Sequence, residues 1–353
     1  MFNFTIYKQY SNKGLKGLAN LGNTCFINSC LQILSHTYEL NEFFRTKFAT
    51  TKLNNKADSL LLISWNRLLG QLWDTSEPEG TVVVPDDFLN CLQRVSAHKK
   101  KDIFTGYAQN DVSEFLIFLL ECFHNGLARE VEMKMSGNVL SNNDKIAEKC
   151  YQTIINMYAK DYSEIWKMFY GMHISKTVSL ETKEIMCITP EPYFILDLPI
   201  PSSNKSPTLL DCFDLYVEGE ILDGDNAVFN ETTRQKEAVQ KQLEFWSFPD
   251  ILVITLKRYT MQLRKNQVLV TFPLEGLDLT DYSYKYENKR YVYDLYGVCN
   301  HSGSVLGGHY TAFVKNANSK WYLFNDTSVS EVGMESQIIT PKAYCFFYRR
   351  RQT

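Results

Sequence analysis

The feature that most limits the folds open to this chain is a change of hydrophobic period near residue 174. Ahead of it, apolar residues recur at three- and four-residue steps, the spacing of helices that bury one face. Beyond it they alternate, as half-buried strands do. Helical spacing covers 25–36, 38–48 and 57–74, resumes with Phe88, Leu89 and Leu92, and is strongest from Val112 through Phe115, Leu116, Leu119, Leu120 and Phe123. Asp111 with Glu114 three residues on has the form of a capping box. A polar insertion at 126–147 precedes one further helix within 151–171. Strands are expected at 174–181, 184–189, 193–198, 251–259, 268–271, 291–300, 309–316, 320–326 and 344–350. Residues 199–207 read as a linker, and 234–245 as a loop or short helix. Helices first and strands second, without alternation, make the fold class α+β.

A net charge of −3 gives no electrostatic case for nucleic acid or an anionic membrane as the main partner. No apolar run has membrane-spanning length, and residues 1–16 lack the apolar core of a secretory signal. Nine cysteines, at 25, 30, 91, 122, 150, 187, 212, 299 and 345, form no Cys-x-x-Cys pair. That argues against a disulfide scaffold and a cysteine-based zinc site, and for reduced thiols inside the cell, in cytoplasm or nucleus. No cofactor is expected.

One cysteine stands apart. Before Cys25 lie Gly17, Asn20, Gly22, Asn23 and Thr24, all loop residues; after it, Phe26, Ile27, Cys30, Leu31 and Leu34 share a helical face. Cys25 therefore sits where a loop enters a buried helix, a position that should make the thiol easier to ionise. Amides of the upstream loop could serve an oxyanion. A nucleophilic cysteine needs a base, and six histidines are candidates. His98 lies in a basic run, 98–101, read as a solvated loop; His36 and His124 close helices, where capping is the simpler role; His173 has no informative context. His309 follows Gly307 and Gly308 at a strand start, delivered by the flexible loop 301–308. If the next turn centres on Ala317, facing residue numbers sum to 634 and His309 faces Asn325. A turn one residue longer brings Asp326 there instead, and either could orient the imidazole.

The stretch Gly17-Leu18-Ala19-Asn20-Leu21-Gly22-Asn23-Thr24-Cys25-Phe26-Ile27-Asn28-Ser29 resembles the cysteine box of the ubiquitin-specific proteases. Gly307-Gly308-His309-Tyr310-Thr311-Ala312-Phe313, followed by Trp321 to Val329, resembles their histidine box. Three further motifs agree in order: Gln109 to Leu116, Pro249 to Tyr259, and Ala343 to Tyr348. The resemblance covers residues 14–350 and implies a papain-like cysteine protease fold shaped as a hand. A helical thumb would occupy 14–165, β-rich fingers about 172–250 and an antiparallel β palm about 251–353. It implies Cys25 as nucleophile, His309 as base, Asn325 as the orienting group, Asn20 as oxyanion donor and Asp326 as a supporting acid. Gln109, Asp111, His301, Gly307, Gly308 and Tyr310 would bind the substrate tail, with the loops 301–308 and 264–267 closing over it. The implied reaction is hydrolysis after the C-terminal Gly-Gly of ubiquitin, on polyubiquitin or ubiquitinated proteins. The rivals are the same chemistry on a ubiquitin-like modifier, and a non-catalytic ubiquitin-binding scaffold. Many family members carry zinc-binding cysteine pairs at the fingertips; the matching positions here, 180–183 and 229–232, hold none. Metal binding is therefore not expected, and Cys187 and Cys212 should be packed side chains.

Overall fold

The first residues after the Cys25 loop form α1 (Cys25–Ser35), a helix whose eleven residues are all buried. A helix covered on every side belongs at the centre of a core. The computed structural model describes residues 7–54, 56–78, 80–101, 104, 108–202, 206–230, 233–259, 264–304 and 307–351. Ahead of α1 lies a two-residue strand, β1 (Gly17–Leu18), which pairs in parallel with β2 (Val82–Val83). Four helices follow: α2 (Tyr38–Thr46), α3 (Ala57–Trp73), α4 (Asp86–His98) and α5 (Val112–Leu127). Helix α1 packs on α2 and α5, while α3 packs on α4 and α5. Then come α6 (Asn142–Asp161) and the short α7 (Glu164–Phe169).

The second half opens with β3 (Gly171–Ser179), β4 (Ile185–Tyr193) and β5 (Ile195–Leu198), then α8 (Leu209–Val217). Next are β6 (Glu220–Leu222), β7 (Val228–Asn230), β8 (Gln235–Glu237), β9 (Val239–Ser247), β10 (Ile251–Leu256) and β11 (Leu277–Asp278). The chain ends with β12 (Val292–Ser304), β13 (Gly307–Lys315), β14 (Trp321–Asn325), β15 (Ser328–Glu331) and β16 (Ala343–Arg350). An eight-stranded sheet has the order β15-β14-β13-β12-β16-β10-β5, with β11 on β12; a four-stranded sheet has the order β4-β3-β9-β6. The period of two sorts the large sheet's side chains between two cores. On β16, Cys345 and Phe347 join the core shared with α1, while Phe346 and Tyr348 point to the other face, among Cys212 and Phe213 of α8. A third cluster sets Ile146 and Cys150 of α6 against Met172, Ile174 and Trp246.

Several expectations need correction. The insertion ends earlier than 147, because Ser141 and Asp144 form a reciprocal capping box that starts α6. The single helix expected in 151–171 is instead the end of α6, then α7, then a strand from Gly171. Helix α8 was not anticipated, although Thr208 and Asp211 cap it in the same reciprocal way. Residues 234–245 hold β8 and most of β9, and 268–271 contribute only one bridge, Thr208 to Thr271. The large sheet is antiparallel except for β5, which runs parallel to β10. His124 lies within α5, facing Ser163 Oγ at 2.8 Å, and caps nothing. Lys99 is drawn in to Asp58 at 2.9 Å, so the basic run is not wholly a solvated loop. Cys212 is buried as expected, but Cys187 is exposed. At the fingertip positions, Lys183 turns the chain between β3 and β4 at a φ of 60° and Phe229 lies in β7; 231 and 232 fall outside the described residues.

Helices and large sheet are strapped together by one buried cation. Arg349 of β16 donates to both Glu39 oxygens, at 2.7 and 3.1 Å, and to the His36 carbonyl at 3.0 Å. Its guanidinium lies 4.3 Å from the ring centre of Tyr296 and 4.9 Å from that of Tyr38. Removing one partner of such a pair strands a buried charge. Glu39→Ala should therefore destabilise the protein by about 3–5 kcal/mol in urea unfolding; a loss under about 1 kcal/mol, the worth of a surface pair, would contradict the strap.

Candidate active site

The loop before Cys25 is ordered by one amide. Asn20 Oδ1 accepts the Gly22 and Thr24 N–H groups at 3.1 and 3.2 Å and the Thr24 hydroxyl at 3.3 Å. Gly22 at a φ of 109° and Asn23 at 53° make this turn possible. With its oxygen committed inward, the Asn20 amide must present its NH2, and Nδ2 donates to Asp326 Oδ2 at 2.9 Å. The other oxygen of that carboxylate accepts Asn28 Nδ2 at 2.8 Å. The Asp326 carbonyl accepts the Leu18 N–H at 2.9 Å. Asp326 has a φ of 48° in the β14–β15 turn. The turn passes so close that a Cβ on Gly17 would lie 2.3 Å from the Thr327 carbonyl oxygen. A glycine is required there by contact.

His309 and Asn325 meet as expected, but by another register. The ladder pairs Ala312 with Phe324 and Lys315 with Trp321, so facing numbers sum to 636 rather than 634. Continued outward, that register sets Asn325 beside Thr311, with His309 one diagonal step away on the same face. Diagonal neighbours remain within reach of long side chains, and His309 Nε2 lies 2.7 Å from Asn325 Oδ1. An amide oxygen only accepts, so Nε2 is the donor in this contact and Nδ1 is the ring nitrogen left free of Asn325. The segment 301–308 is not a free loop: β12 continues to Ser304 and β13 begins at Gly307, with 305 and 306 outside the described residues.

Cys25 lies at the first turn of α1, capped by the Thr24 backbone, and is only 3% exposed. Gln109 Nε2 donates to its sulfur at 3.6 Å while Gln109 Oε1 accepts the Gly308 N–H, so one side chain ties the sulfur to the residue that precedes His309. The expected ease of ionisation is overturned. Burial pushes the Cys25 thiol above its ordinary value, and the Asp326 charge adds to this, outweighing the N–H groups of Tyr310, Phe26 and Cys25 itself.

The residues expected to meet the substrate tail divide. Gly307 and Gly308 are exposed at the start of β13, and the Gly308 N–H donates to Gln109 Oε1 at 2.7 Å. Asp111 Oδ1 accepts the Ser113 N–H at 2.7 Å as the cap of α5, without reciprocation by Glu114, and Oδ2 accepts the Tyr344 hydroxyl at 2.6 Å. His301 and the Tyr310 ring are buried, 4.5 Å apart at their centres. His301 Nδ1 faces the Tyr259 hydroxyl at 2.6 Å and Lys265 Nζ at 3.0 Å. Burial, then the Lys265 charge, lower the His301 pKa to about 4, so it stays neutral and supports Gly308 from beneath. The segment 264–267 thus reaches the site through Lys265. Sequence reasoning did not single out Asn28, Tyr259 or Tyr344, although each lies inside a motif it quotes, nor Lys265 within the expected loop 264–267. Among the described residues, no group of three or more His, Cys, Asp or Glu side chains could hold a metal ion, and no helix is long and apolar enough to cross a membrane.

The sequence profile of the ubiquitin carboxyl-terminal hydrolases matches residues 16–348. The chain is 35% identical over 345 residues to ubiquitin carboxyl-terminal hydrolase 2 of Bos taurus, a match covering 96% of this chain and 55% of that protein. It is 32% identical over 343 residues to ubiquitin carboxyl-terminal hydrolase Usp2 of Drosophila melanogaster, with 96% and 35% covered. The chain therefore spans about half the length, or less, of these relatives. Among solved structures, the SAGA Ubp8/Sgf11/Sus1/Sgf73 DUB module bound to ubiquitin aldehyde shares the fold at a TM-score of 0.76 and 24% identity, over 98% of this chain and 71% of that one. The helical half, the antiparallel sheets and these matches agree on an α+β, papain-like architecture. The chain belongs to the ubiquitin carboxyl-terminal hydrolase family.

Proposed function

We propose that the protein is an intracellular thiol protease that hydrolyses the bond after the C-terminal glycine of ubiquitin, on polyubiquitin or ubiquitinated proteins. The observation that carries this reading is the Gln109 carboxamide, which ties the Cys25 sulfur to the Gly308 N–H, next to a His309 already oriented by Asn325. The relatives, named ubiquitin carboxyl-terminal hydrolases, point the same way.

Because the thiol is held neutral, its proton must leave as attack begins, and His309 Nδ1 is the acceptor this reading assigns. The sulfur adds to the glycine carbonyl. The resulting oxyanion takes the Cys25 backbone N–H and the second Asn20 N–H, the first being held by Asp326. His309 returns the proton to the leaving amine, which departs and leaves a thioester. Water, deprotonated by His309, then adds to the thioester carbonyl, and the tail leaves as a carboxylate while the thiol is restored.

Cys25→Ala should abolish hydrolysis of a ubiquitin C-terminal amide at an unchanged unfolding midpoint; residual turnover would refute the nucleophile. In parallel assays, a ubiquitin-like modifier should be cleaved more slowly than ubiquitin, and the reverse order would move the assignment to that modifier. Asn20→Ala should lower kcat by about 10²–10³, the usual worth of one oxyanion donor, and a change under threefold would remove that role. A raised thiol pKa means less thiolate at neutral pH than in free cysteine. Alkylation of Cys25 by iodoacetamide should therefore keep accelerating beyond about pH 8.5, the ordinary cysteine value, whereas a plateau by neutral pH would show a thiolate already formed.

A further inference from the structure

The side chain hydrogen-bonded to the Cys25 sulfur is Gln109, while His309 is engaged with Asn325. A primary carboxamide is a peptide group without its chain, with an N–H donor at one end and a carbonyl acceptor at the other. Gln109 uses both. Its Oε1 accepts the Gly308 N–H at 2.7 Å, and its Nε2 donates to Sγ at 3.6 Å. The carboxamide therefore spans the cleft from the helix that bears the nucleophile to the strand that bears the base.

The two glycines beside it are bare for different reasons. A Cβ on Gly308 would lie 2.3 Å from the Ser302 carbonyl oxygen and 2.4 Å from His301 Nε2, so packing forbids one. Among the described residues, a Cβ on Gly307 would meet nothing nearer than Gln109 Oε1, at an ordinary 3.8 Å, so the position faces the Gln109 carboxamide without a clash.

We propose that Gln109 is a latch: in the free protein its carboxamide occupies the place of the last peptide group of the substrate, capping both the sulfur and the Gly308 N–H, and the incoming tail displaces it. The idea rests on the tail-cleaving function proposed above. The tail's own backbone carbonyl then takes the Gly308 N–H, so a hydrogen bond is exchanged rather than lost, and the site stays shut at little cost to the bound state.

The test uses the full chain and Gln109→Ala, with iodoacetamide alkylation of Cys25 followed by mass spectrometry from neutral to alkaline pH. The limiting rate at high pH reads access separately from ionisation. The latch predicts a limiting rate about three- to tenfold higher in the variant, the worth of one neutral hydrogen bond, and a KM for the ubiquitin C-terminal amide lower by a similar factor. An unchanged limiting rate overturns the latch. So does a kcat lower by about 10²–10³, which would make Gln109 an oxyanion donor. Hydrogen exchange at the Gly308 amide gives a second reading: it should be slow in the wild type and in Gln109→Glu, which keeps an acceptor, and fast in Gln109→Ala. Equal exchange in all three also overturns the latch. Should the wild type fail to cleave ubiquitin, the proposed function falls, while alkylation and exchange still decide the latch.

Discussion

The arrangement of the site depends on one carboxylate. Asp326 takes an amide from the loop before Cys25 on one oxygen and an amide from α1 on the other. Its backbone carbonyl takes the N–H of Leu18. Hydrogen bonds to a charged group are worth about 1.5–3 kcal/mol each, enough to fix a turn whose key residue sits at a positive φ. Asn325, immediately before it, orients His309. The His309 imidazole is thus positioned from the helix that bears Cys25, through Asn28, Asp326 and Asn325 in sequence. Gly17 completes the clamp by letting the Thr327 carbonyl approach where no side chain fits.

That clamp has an electrostatic consequence. The same negative charge that gathers Asn20 and Asn28 also disfavours a thiolate at Cys25. Cys25 is 3% exposed, and burial is the largest influence on its thiol, ahead of the neighbouring N–H groups that favour the thiolate, so burial sets the sign. In the function proposed above, a thiol kept neutral by burial ionises only as substrate arrives, beside an imidazole already oriented by Asn325.

How much of this could be read from the residues follows from what each signal encodes. Alternation along β16 separates Cys345 and Phe347 from Phe346 and Tyr348 correctly, because side-chain period is a local property. The β13–β14 register is not local in that sense, since two residues of turn length move every pairing; His309 still finds Asn325 because a shift of two preserves the face. Residues 234–245 read as a loop or short helix because the Gln and Glu residues of β9 favour helices in isolation, and only pairing with β3 makes it a strand. The Thr208–Asp211 capping box that opens α8 is a local signal written in the sequence. Direction of the Cys25 shift was not legible, because sequence shows the helix start but not the depth at which it is buried. Asn28 marks the same boundary: an amide in a buried helix announces a partner without saying that the partner lies 298 positions away.

The clamp is tested most directly by a double-mutant cycle on kcat/KM, using Asn28→Ala, Asp326→Ala and the pair with a ubiquitin C-terminal amide as substrate. If Asp326 acts through its bond to α1, the two losses overlap, and the cycle shows a coupling of at least about 1 kcal/mol. Losses that add to within about 0.3–0.5 kcal/mol would mean that the two residues work independently, and that something other than this carboxylate holds the imidazole in place.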